Sequence, residues 1–132
     1  MTVEAGRRMR SAWIALGWVG VIAVSVLSLI PEPPELIGIE EGDKIEHLLV
    51  YGSLMFWFAQ VYVQRRSRWS VAIRLIAMGV CLEFVQGWTG WRLFSYADML
   101  ANTAGVAVGW LIATPRTPNL LSLARAYTLR GH

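Results

Sequence analysis

The sequence predicts an all-α integral membrane protein, a four-helix bundle with both termini in the cytoplasm. Three observations predict it. Hydrophobic residues make up 55% of the chain and charged residues only 16%, against about a quarter charged in an ordinary soluble domain. Four long apolar runs are separated by short segments rich in proline, glycine, tryptophan or arginine. If those runs alternate in direction, ten of the twelve lysines and arginines fall on one side, which is the bias that marks cytoplasmic segments. The 132 residues suit a single domain spanning 1–132. The same asymmetry accounts for the net charge of +3, so the lipid bilayer is the expected partner and nucleic acid is not. Seven tryptophans fit a chain with two membrane–water interfaces. Cys81 is the sole cysteine. It excludes an intrachain disulfide and a cysteine metal site, and within an apolar run it reads as a small packing residue.

The first helix is expected at about 12–30, after a basic start with Arg7, Arg8 and Arg10. A signal peptide has the same outline, but its apolar core is about 7–15 residues. This run is longer and no convincing small-x-small cleavage site precedes Pro31, so a retained helix is expected. Residues 31–42 (PEPPELIGIEEG) form an acidic loop. The second helix is expected at 44–63, with Asp43 and Glu46 at capping-box spacing and Lys44 and His47 in its first turn. Residues 64–70 (QRRSRWS) read as a basic turn. A third helix over 71–87 carries Glu83 and Gln86. The loop 88–95 leads to a fourth helix at 96–113, where Ser95 and Asp98 repeat the capping-box spacing. Pro115 and Pro118 end that helix. In the tail, 114–132, residues Asn119 to Leu129 suit an amphipathic helix on the membrane surface. The acidic loop and the Trp88–Ser95 loop then face outward.

The fourth helix organises the rest. At 100° per residue, Asp98, Asn102, Gly105 and Gly109 lie within roughly 60° of one another. The two glycines admit a neighbouring helix, so the stripe faces inward. His47, Glu83, Arg92 and Asp98 come from separate segments yet fall at one depth, near the outer end. Asp43, His47 and Tyr51 share one helical face, and Gly79, Glu83, Gln86 and Gly87 share another. An ionisable group inside a membrane helix costs about 2.5–3.5 kcal/mol on insertion scales. Several at one depth therefore point to a shared polar pocket open to the outside.

Each residue also has a plainer role. Asp98 can cap its own helix, Asn102 can bond helix to helix, Lys44 can snorkel, and Tyr51 can simply pack. Glu83 lies deepest and is hardest to explain by structure alone. As chemistry, Glu83, His47 and Asp98 form a candidate acid–base cluster. Arg92 and Lys44 suit a phosphate or carboxylate, with Gln86, Asn102 and Tyr51 as further ligand-binding candidates. His47, Glu83 and Asp98 also have the ligand types for a divalent cation, but their spacing is too dispersed for a metal motif, and the sequence leaves any cofactor unknown. A nucleophile elbow, P-loop or zinc motif is absent. Whether the cluster is catalytic stays open.

These residues resemble the VanZ-like family of small membrane proteins. The match rests on Asp43-Lys44-x-x-His47-x-x-x-Tyr51, on Glu83-x-x-Gln86, and on Arg92-x-x-Ser95-x-x-Asp98-x-x-x-Asn102-x-x-Gly105. It covers about residues 30–110. Where the family often has a proline–glycine-rich turn before the arginine, this chain has Thr89-Gly90-Trp91. The resemblance implies a multi-pass protein of the bacterial plasma membrane. It also implies a link to low-level teicoplanin resistance, with a lipid-linked cell-wall precursor or a glycopeptide as the ligand class. A second expectation is a non-enzymatic assembly or regulatory subunit whose polar cluster is structural. A proton-coupled transporter fits less well, because the inner half of the helices carries no matching acids.

Overall fold

The computed structural model describes residues 3–31, 37–38, 42–113 and 119–130. Among them are five helices and no strand: α1 (Val3–Leu29), α2 (Gly42–Ala59), α3 (Arg65–Thr89), α4 (Tyr96–Ile112) and α5 (Leu120–Arg130). The first four alternate in direction. Trp13 near the start of α1 stacks on Trp57 near the end of α2, with centroids 4.3 Å apart. Ser28 at the end of α1 meets Gln86 near the end of α3. The ends of α1 and α3 and the starts of α2 and α4 therefore lie together. Expectations that fall on residues 32–36, 39–41, 114–118 and 131–132, including Pro33, Pro34, Pro115, Pro118 and Arg116, lie outside the described residues.

Several boundaries differ from expectation, and each difference has a local cause. α1 begins at Val3 rather than near residue 12. Its basic residues are helix-compatible, and Arg8 pairs with Glu4 one turn back at 2.6 Å. α3 begins at Arg65 rather than 71, so the expected basic turn is its first turn. No proline occurs between residues 34 and 115 to prevent this. α3 closes at Thr89, where Gly90 takes φ 72°, the left-handed conformation that ends helices. α2 stops at Ala59, short of 63, because the next carbonyls turn towards Arg68. Arg68 donates to the carbonyls of Ala59 at 3.1 Å, Tyr62 at 2.9 Å and Ala113 at 2.6 Å. One guanidinium thus satisfies the open ends of both α2 and α4 from the first turn of α3. The expected box at Asp43 and Glu46 is not closed. Glu46 instead accepts from the Ile37 amide at 2.6 Å and ties down the preceding loop.

The tightest seam is between α2 and α4. A Cβ on Gly105 would strike the Leu48 carbonyl oxygen, and one on Gly109 would strike that of Gly52. Gly52 in turn leaves 3.1 Å to the Gly105 oxygen. Backbone meets backbone here, the contact that small residues permit. Beneath it lies a core of Met55, Phe58, Ala59, Ala72, Leu75 and Val106. Five polar side chains are buried as well: Gln60, Glu83, Gln86, Asp98 and Asn102. Two helices, Glu4–Leu29 and Arg65–Thr89, are long and apolar enough to cross a membrane. α2 and α4 have 18 and 17 residues, about 27 and 26 Å at 1.5 Å per residue.

The tail helix α5 docks at the end opposite the polar cluster. Asn119 caps it by accepting from Ser122 N at 3.0 Å. Gln60 accepts from Leu120 N at 2.9 Å, and its carbonyl accepts from the Asn119 amide at 2.9 Å. Arg125 reaches the Gly6 carbonyl of α1 at 3.2 Å. Cys81 corrects its expected role: it stands exposed on α3.

Candidate functional site

Ser95 begins the site. It caps α4 as its spacing predicts, accepting from Asp98 N at 3.2 Å. The other half of a capping box would have Asp98 accept from Ser95 N. Glu83 takes that role from α3, with its Oε1 2.6 Å from Ser95 N. The box is split between two helices. Asp98 is left 5% exposed, and its Oδ1 has no hydrogen-bond partner. Of the buried side-chain atoms without a partner among the described residues, the other two, Trp13 Nε1 and Arg125 Nε, lie outside the cluster.

Gly79 supplies the next feature. A Cβ there would lie 2.9 Å from Asn102 Nδ2 and 3.2 Å from the Tyr51 ring. The missing side chain on α3 makes room for an amide from α4 and a phenol from α2. Asn102 then accepts through Oδ1 from His47 Nδ1 at 3.0 Å. A carboxamide oxygen only accepts, so Nδ1 carries the proton and Nε2 points elsewhere. The charges of Asp98, His47 and Arg92 act on Glu83, and Tyr51 in turn feels Glu83. Tyr51, Glu83, Asp98 and Asn102 form a buried floor. His47, Arg92 and Ser95 form a half-exposed rim.

Six expected site residues therefore come together: His47, Tyr51, Glu83, Arg92, Asp98 and Asn102. Two do other work. Gln86 donates to the Ser28 carbonyl at 2.7 Å and fastens α3 to α1. Lys44, half-buried, sits 3.9 Å from Asp43. Among the described residues, no three His, Cys, Asp or Glu are placed to hold a metal ion. The sequence reading placed Gly79 on the face of Glu83 and Gln86 but missed Gly52, whose contact with the Gly105 carbonyl the structure shows. It also missed Arg68, read only as part of a basic turn, and Gln60, which lay unremarked inside the expected second helix.

The model of the VanZ/LLP1 family matches residues 5–121. The chain belongs to the VanZ/LLP1 family. The match takes in every residue of the floor and rim, and also α1, which the motifs alone left out. No curated protein matches this VanZ/LLP1 chain, and no solved structure does.

Proposed function

We propose that this VanZ/LLP1 chain is a bacterial envelope protein that spans the plasma membrane four times. Both termini face the cytoplasm, and the cluster binds or modifies a ligand of the outer leaflet. Leu16, Ile22, Ile73, Phe84, Leu100 and Leu111 all stand exposed, and a contiguous apolar exterior of this kind belongs against lipid. Trp88, Trp91 and Tyr96 are exposed at the cluster end, as an interfacial belt would be. The start of α1, the start of α3 and α5 carry arginines at the other end, and by the positive-inside bias this supports a cluster facing outward. α5 then lies along the inner surface. A lipid-linked cell-wall precursor or a glycopeptide such as teicoplanin is the ligand class.

The observation that carries this reading is the unpartnered Asp98 Oδ1, buried in a site where His47 pairs with Asn102 and Glu83 with Ser95. A buried acceptor without a donor costs free energy and is explained by something that fills it. The pairing itself favours a second reading. His47 with Asn102 and Glu83 with Ser95 are what a purely structural network would show. The two separate in cells producing Asp98→Asn, Glu83→Gln and His47→Gln proteins. Membrane level, thermal unfolding and teicoplanin susceptibility would be measured for each. Normal levels and unfolding with a changed susceptibility support a ligand site. Early unfolding of all three together supports the structural network and defeats the ligand reading.

A further inference from the structure

Asp98 also constrains what the ligand must carry, and this step rests on the outer-leaflet reading above. Asp98 sits in the first turn of α4, where the amide groups of a helix start favour a negative charge. Its Oδ1 is a buried acceptor without a donor, beside a second acidic side chain, Glu83. A hydroxyl would satisfy its geometry but bring no positive charge to the two acids. A quaternary ammonium would bring the charge but has no N–H to give. A primary ammonium does both. Arg92 stands at the rim, half exposed, its charge acting on Glu83, and forms no ion pair with a described residue. A guanidinium so placed suits a phosphate. Asp98 lies in the first turn of α4, next to the Ser95 cap.

We propose that the site recognises a primary ammonium carried next to a phosphate, as in a phosphoethanolamine headgroup. The ammonium donates to Asp98 Oδ1 and the phosphate lies on Arg92. The test uses the purified full chain in detergent, with native mass spectrometry counting retained lipids of matched acyl chains. Phosphatidylethanolamine should be retained about tenfold over phosphatidylcholine and phosphatidylglycerol, the worth of one charge-assisted hydrogen bond. Asp98→Asn should remove that preference and leave general lipid retention unchanged. Arg92→Gln, a rim change that leaves the buried floor in place, should weaken all three lipids alike. Competition by free O-phosphoethanolamine supports a headgroup read on its own, and competition only by the lipid supports a lipid ligand.

Equal retention of ethanolamine and choline lipids by the unaltered protein overturns the ammonium assignment. If Arg92→Gln still weakens retention in that case, the outer-leaflet reading survives without it. If no lipid is preferred and neither variant changes anything, both fall.

Discussion

Gly105→Ala tests the α2–α4 seam most directly. The added methyl would meet the Leu48 carbonyl oxygen and carbon, the latter at 3.0 Å, and Gly52 N at 3.1 Å. All three are backbone atoms, so no rotamer change relieves the contact and the helices must move apart by on the order of 1 Å. Overpacking of this kind costs about 3 kcal/mol at the upper end of its usual range. Alanine recovers about 1 kcal/mol of helix propensity over glycine. The net expectation is a loss of about 2 kcal/mol. Gly109→Ala meets Gly52 O and Met55 Cβ and should cost about the same. Because one separation relieves both, the double variant should lose clearly less than the sum. Gly38, with nothing within 4 Å, serves as a control, and its alanine variant should stay within about 0.5 kcal/mol. Denaturant unfolding followed by tryptophan fluorescence reads all four. If Gly105→Ala unfolds with the unaltered protein, or if the two losses simply add, the backbone-contact account of the seam is wrong.

Three other outcomes follow from the same structure. Arg68→Lys should destabilise nearly as much as Arg68→Met, by about 2–3 kcal/mol, since an ammonium cannot reproduce a planar fork serving three segments; thermal unfolding of the pair decides it. Gln60→Ala should free α5, seen as faster tryptic cleavage after Arg125 with little change in the far-UV helical signal of the rest. Glu83→Gln keeps an acceptor for Ser95 N and should unfold within about 1 kcal/mol of the parent, whereas Glu83→Ala strands that amide and should lose about 2 kcal/mol; equal losses would show that Glu83 does not cap α4.

What the sequence made legible was periodicity and punctuation. Ser95 and Asp98 fixed the start of α4, and the stripe of Asp98, Asn102, Gly105 and Gly109 is buried as its spacing requires. The polar residues expected at one depth do converge. Partners were not legible. Charge composition marks Arg68 as basic but cannot say that three carbonyls await it. The spacing of Asp43 and Glu46 matches a capping box, yet the Ile37 amide competes for the same carboxylate. Arginine-rich segments read as turns because charge ends an apolar run, but charge does not end a helix, so α1 and α3 extend through theirs. Cys81 sits among apolar residues on a helix whose outward face is also apolar, and hydropathy alone cannot tell the two sides apart.

The divided cap has a consequence for how two helices depend on each other. Glu83 and Ser95 are twelve residues apart, so the amide that opens α4 is completed by the helix made just before it. Without α3 beside it, α4 starts with that amide unpaired, at a cost of about 1 kcal/mol, and without α4 Glu83 has no amide to accept from. The two helices are coupled through this bond, each supplying what the other lacks, while α4 seats on α2 against Leu48 and Gly52.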